Sequence, residues 1–210
     1  KVSNIAFDVA PQIMAILIFI CGYLLLSAAS LPSQNIRMIR LEAIFDPIFI
    51  EVIHFFTALI GVSLMLNANF VWRESKLAFY QAFGLIFIGA VFSLFKGISW
   101  EIAGIMAFAL VLLLIVRGEF GFNREAIKQT FSYRFIAAII GSLASIVWLS
   151  YFSFNQIPYS HNLWFEIGID ANEARAFRAI AGAIAFFVFV IFINWLLNNT
   201  KDEDEDATNV

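Results

Sequence analysis

Runs of about twenty mostly apolar residues recur along the chain, and they leave it few folds to adopt. A helix rises about 1.5 Å per residue, so about 20 apolar residues are needed to cross a hydrocarbon core of about 30 Å. On that ruler, spans are expected near 11–30, 47–70, 76–95, 99–116, 135–154 and 176–197. The runs lack the alternation of lipid-facing and lumen-facing residues that the strands of a membrane barrel show. Charged residues make up 14% of the chain, against about 25% in a soluble domain. Phe, which enters lipid readily, occurs 25 times. The expected fold is an all-α integral membrane protein of about six transmembrane helices with almost no soluble domain.

Local signals mark the ends of these runs. Pro11 and Pro47 are each suited to the first turn of a helix, where a missing N–H costs nothing. Asp170 followed by Glu173 resembles a capping arrangement before the last span. Gly97 and Gly118 fall where helices should stop. The acidic run Asp202-Glu203-Asp204-Glu205-Asp206 lies in a tail over 200–210 that is expected to be disordered. That run accounts for the net charge of -3, so the rest of the chain is slightly basic, which argues against nucleic acid as a direct partner of the membrane part. Cys21, the only cysteine, sits inside an apolar run, so no intrachain disulfide or zinc cluster is expected. No metal, cofactor or catalytic residue is expected either, because no nucleophile elbow, Gly-rich phosphate loop or metal-ligand spacing occurs.

Basic residues in loops set orientation. With the N-terminus inside, the inner segments hold Lys1, Arg73, Lys76, Arg117, Arg124, Lys128, Arg134 and Lys201. The outer segments hold Arg37, Arg40, Lys96, Arg175 and Arg178. The excess inside, concentrated between Arg117 and Arg134, places both termini in the cytoplasm. That loop also suits anionic lipid headgroups, although positive-inside bias explains it equally well.

Polar residues at membrane depth need a reason, since a charge at the centre of a span costs at least about 2.5–3.5 kcal/mol. Glu51 and His54 lie one turn apart, and Thr57, Ala58 and Gly61 continue their face. Such a face suits either a polar site for a lipid headgroup or a carboxylate that reaches the interface from near its helix start. It is not a zinc hydrolase, because E-x-x-H lacks the first His of H-E-x-x-H. Lys96 and Glu101 flank a short turn, where they either pin the hairpin as an ion pair or line a headgroup path. Trp100 beside them belongs in the aromatic belt. Between Tyr151 and Arg178, Tyr159 and Trp164 are expected to anchor the segment along the interface. Arg175 and Arg178, three apart on the last helix, suit a lipid phosphate or act as snorkelling anchors.

Three stretches together resemble a known family. They are Glu51-Val52-Ile53-His54-Phe55 with Gly61, Leu64, Ala68 and Arg73; Gly89-Ala90-Val91-Phe92-Ser93-Leu94-Phe95-Lys96-Gly97-Ile98-Ser99-Trp100-Glu101; and Trp148-Leu149, Phe152, Tyr159-Ser160, Leu163-Trp164, Asp170-Ala171, Ala174-Arg175 and Arg178-Ala179. Over about 47–197 the chain resembles the second half of the membrane domain of bacterial phosphatidylglycerol lysyltransferases, the multiple peptide resistance factor family. It departs from that pattern in the inner loop, where Gly118, Gly121 and Phe122 dilute an expected basic, aromatic stretch. The resemblance implies a bacterial cytoplasmic membrane protein and a role in moving aminoacylated phosphatidylglycerol to the outer leaflet, which repels cationic antimicrobial peptides. In such proteins a cytosolic synthase domain makes the lipid from aminoacyl-tRNA. The sequence over 1–210 is not expected to include such a domain, so it is expected to be a piece of a longer protein or a short relative working with a partner. The resemblance further implies anionic and aminoacylated phospholipids as partners, with a synthase domain and a second copy of the chain as further ones. Two other readings stand beside it: an anchor and dimerisation module for a cytosolic lipid aminoacyltransferase, and an unrelated small-molecule transporter.

Overall fold

The computed structural model describes residues 10–30, 45–95, 100–119, 132–154 and 172–208. They form six α-helices: α1 (Ala10–Ser30), α2 (Pro47–Trp72), α3 (Lys76–Phe95), α4 (Trp100–Val116), α5 (Tyr133–Phe154) and α6 (Asn172–Thr208). A 3-10 turn, Arg117–Glu119, follows α4 and contains Gly118. Among the described residues every regular element is helical, and the protein is an all-α, multi-pass membrane protein. Five helices are long and apolar enough to cross a bilayer. The expected fourth span, α4, is apolar throughout but has 17 residues, at the lower edge of the ~17–25 that span a membrane.

Expected and observed helix ends agree within two residues for α1 to α5. The last helix differs: α6 starts at Asn172 and continues through the acidic run to Thr208, where a disordered tail is expected from sequence. No Gly or Pro follows Gly182 along this helix, so nothing in the backbone chemistry stops it.

The start of α2 follows from its sequence. Asp46 accepts a 2.8 Å hydrogen bond from the N–H of Ile48, and Pro47 takes the first helical position. Its end is less expected. The N–H of Glu74 donates to the carbonyl of Val71 and the N–H of Ser75 to that of Phe70, the paired bonds of a Schellman cap. The left-handed residue of this cap, normally Gly, is Glu74 with φ of 60°. Ser75 then caps α3 through the N–H of Ala78. The α2–α3 connection therefore reverses the chain in three residues. Because a side chain in the left-handed region is strained, Glu74→Gly is expected to stabilise the fold by about 0.5–1 kcal/mol. Reversible unfolding in mixed detergent micelles measures this, and an unchanged or lower stability would count against the left-handed cap.

Two apolar clusters share one pair of helices. The first joins Ile18, Cys21 and Leu25 of α1 and Ile60, Leu64 and Ala68 of α2 to α3 and α4. The second joins Leu26 and Ala29 of α1 and Val62, Met65 and Leu66 of α2 to α5 and α6. Thus α1 and α2 form a spine, with α3–α4 and α5–α6 as two wings. At the centre of the spine the helix backbones nearly touch: a Cβ placed on Gly61 would lie 2.8 Å from the carbonyl oxygen of Gly22. Close approach of this kind is how helices gain packing where lipid offers no hydrophobic drive.

The outside of the bundle is as apolar as the inside. Ile13, Phe87, Phe108, Ile115, Val188 and Phe189 all face outward, as lipid requires. Most hydroxyls inside bond their own helix; Thr57 donates to the carbonyl of Ile53 and Ser63 to that of Leu59. A few bonds cross between helices. Ser150 of α5 donates to the carbonyl of Ser30 at the end of α1, and the hydroxyls of Tyr23 and Ser145 meet at 3.2 Å.

Candidate functional site

The expected polar face lies on α2, which runs parallel to α6. Glu51 pairs with Arg178 near their starts, and Phe55 lies against Gly182 one turn further along both. A Cβ on Gly182 would collide with the Phe55 ring, so the bare backbone of Gly182 is what lets that ring approach α6 so closely. This contact fixes the spacing of the helices directly beneath the ion pair.

Nε of Arg178 lies 2.6 Å from Oε1 of Glu51, and each side chain retains 21% of its exposure. The second carboxylate oxygen, Oε2, is buried and has no hydrogen-bond partner among the described residues. An ionised carboxylate accepts at both oxygens, so Oε2 retains capacity for a further donor. His54, one turn deeper, is 4% exposed with both ring nitrogens enclosed. Thr57, Ala58 and Gly61 continue the face into the spine, where Gly61 meets α1. The small residues on this face therefore admit a neighbouring helix.

The structure thus joins two residues that sequence reading treats separately. Glu51 stands paired with Arg178, 2.6 Å between Oε1 and Nε. The clue in the sequence is an acid and a base at similar distances from the starts of two helices of the same direction, and the direction follows only from the order of spans. Arg175 lies in the first turns of α6, and its side chain is outside the described residues. Lys96, Tyr159 and Trp164 also lie outside them, as does the expected Asp170 cap. Trp100 and Glu101 open α4 and are both exposed.

Two further polar residues escape the sequence reading. Asn67 of α2 donates from Nδ2 to the carbonyl of Ala78 in the first turn of α3, at 2.9 Å. Its Oδ1 is buried with no partner among the described residues, as is Nδ2 of Asn69. Their signal in the sequence is the run Asn67-Ala68-Asn69 inside an otherwise apolar span. Polar residues at such depth are costly and mark function by default.

Two grooves open towards lipid. One, of about 740 Å³, lies between α5 and α6 and is wholly apolar, with Trp148, Leu143 and Phe187 among its walls. The other, of about 590 Å³, lies where α3 meets α6 over α2, and Ser63, Asn67, Tyr80 and Gln81 supply its polar atoms. Among the described residues no group of His, Cys, Asp and Glu is placed to hold a metal ion. Compared with known proteins, the chain matches no family model and no curated protein.

Proposed function

We propose that this protein is part of the membrane domain of a lysylphosphatidylglycerol synthase/flippase-like protein of the bacterial cytoplasmic membrane, and that it translocates or positions aminoacylated phosphatidylglycerol. The observation that carries the reading is the Glu51–Arg178 pair near the starts of two adjacent parallel helices. With both termini cytoplasmic, those starts face the outer leaflet.

An aminoacylated phosphatidylglycerol headgroup carries an ammonium and a phosphate. Such a ligand exchanges one internal ion pair for two: its ammonium with Glu51 and its phosphate with Arg178. Charge-assisted bonds of this kind are roughly twice as strong as neutral ones. An unmodified phosphatidylglycerol offers the phosphate alone and leaves the carboxylate opposing it, so the pair selects against it by like-charge repulsion. Each lysylation turns a headgroup of about -1 into one of about +1, which weakens the attraction of basic peptides to the surface. The sequence resemblance supports the same lipid class, since its matched stretches include both Glu51 and Arg178.

The test is translocation in vesicles. The full chain is reconstituted with lysylphosphatidylglycerol confined to the inner leaflet, and amine-reactive dye added outside reports its arrival. Exposure should exceed that of protein-free vesicles and fall at least about tenfold in Glu51→Gln, the loss of one charged contact in a partly desolvated site. Equal rates with and without the protein, or full activity in Glu51→Gln, would remove the pair from any such role.

A further inference from the structure

The groove over Asn67 carries features that the transport reading does not use. We infer that it binds the hydroxyl end and one chain of a polyol-headed membrane lipid, entering sideways between α3 and α6. The inference is independent of translocation.

The first support is the geometry of Asn67. Its Nδ2 is committed to the carbonyl of Ala78, which fixes the amide plane; the reverse orientation would set two carbonyl oxygens against each other. Oδ1 is therefore the acceptor left over. It is sealed from solvent, without a partner among the described residues, in a residue only 5% exposed. A ligand donor that enters the groove among its other polar lining residues, the exposed Tyr80 and Gln81, and reaches Oδ1 would satisfy it.

The second support is the chemistry of the walls. Ser63, Tyr80 and Gln81 join Asn67, and among the described residues no charged one lines the groove. A buried ammonium or phosphate would meet no counter-charge from these walls, so the part of the headgroup that enters is a neutral hydroxyl, with the phosphate kept outside the groove. Leu85, Ile88, Phe186 and Val190 extend the groove as an apolar track for a hydrocarbon chain. Its volume of about 590 Å³ lies within the ~300–1,000 Å³ typical of small-ligand sites.

The third support is depth. At about 1.5 Å per residue, the 26-residue α2 is about 39 Å long and overshoots a ~30 Å hydrocarbon core by a few ångströms at each end. Asn67 lies about 7–8 Å from the end of the helix. That puts it just inside the boundary, where the hydroxyl of a lipid headgroup can reach while its chain stays in the core.

The groove also supplies its own plug. Gly84 lines the groove and a Cβ there would meet no atom within 4 Å, so Gly84→Leu has room to place its side chain in the groove. The full chain is placed in phosphatidylcholine nanodiscs doped with phosphatidylglycerol bearing a photoreactive diazirine in one acyl chain, and labelled peptides are mapped by mass spectrometry. Labelling of the α3 and α6 walls should exceed that by a diazirine phosphatidylcholine about fivefold, the worth of one neutral hydrogen bond. Gly84→Leu should abolish that excess and leave labelling of the Trp148 groove unchanged. Asn67→Leu should equalise the two lipids while the groove still labels. Equal labelling by both lipids in the parent protein, or an excess indifferent to Gly84→Leu, would overturn the site and leave only annular lipid.

Discussion

Replacing Gly61 by Ala is expected to cost about 2–3 kcal/mol or more of folding stability, and by Leu to abolish the folded bundle. The new Cβ of Gly61→Ala would sit 2.8 Å from the carbonyl oxygen of Gly22 and 2.9 Å from the N–H nitrogen of Leu26. Both are backbone atoms of α1, so no side chain can turn aside and the helices must separate. Overpacking against movable side chains already costs about 1–3 kcal/mol. Separation also loosens both apolar clusters, because α1 and α2 contribute to each. Gly104 and Gly141 provide the control, since a Cβ at either meets nothing within 4 Å. There Ala should be neutral or stabilising by up to about 1 kcal/mol, the ordinary helix preference. Unfolding midpoints in mixed micelles decide the matter. If Gly61→Ala unfolds with the parent protein, the close backbone contact is not what joins these helices.

Removing one charge from the Glu51–Arg178 pair is expected to cost more than removing both. A single neutral substitution leaves its partner's charge near the membrane interior without compensation, whereas the doubly neutral chain has no charge to solvate. Breaking a fully buried pair costs about 3–5 kcal/mol. This pair keeps 21% exposure on each side, so screening by water reduces the figure to about 1–3 kcal/mol for Glu51→Gln or Arg178→Gln. The double variant should lie closer to the parent, with a coupling of about 1–2 kcal/mol in the cycle. Additive single costs would show that the charges do not act on one another. The Glu51→Arg, Arg178→Glu exchange should recover stability but not the proposed lipid transfer, since it would reverse the order in which the proposed ligand's ammonium and phosphate are met.

The spans were legible because the requirement to cross lipid is written in length and apolarity, which need no partner to be read. Neighbours were not legible for the same reason. A soluble helix advertises its buried face by its polar one, but here Ile18, sealed in the core, and Ile16, facing out, are the same residue type two positions apart. Gly61 is recognisable in sequence as a place of close approach, yet nothing in the sequence names Gly22 as the residue that approaches. Glu51 and Arg178 each stand out as costly, and their pairing emerges only once α2 and α6 are known to lie side by side. The α2–α3 turn shows the opposite limit: its cap uses Glu74 where the usual signal is Gly, so composition conceals a well-formed helix end. Asn67 and Asn69 escape notice because two amides inside a long apolar run barely alter its average.

The placement of the spine has a consequence for how the protein is made. Its two helices precede both wings in the sequence, so they leave the ribosome before either wing exists. Chains fold in the order of their synthesis, with early units completed first. When α3 and α4 emerge, the face they bury against is finished; the same holds later for α5 and α6. Each new hairpin docks on existing structure and waits for nothing downstream, so an error in a late helix leaves the earlier assembly standing, while an error at Gly22 or Gly61 is inherited by everything that follows.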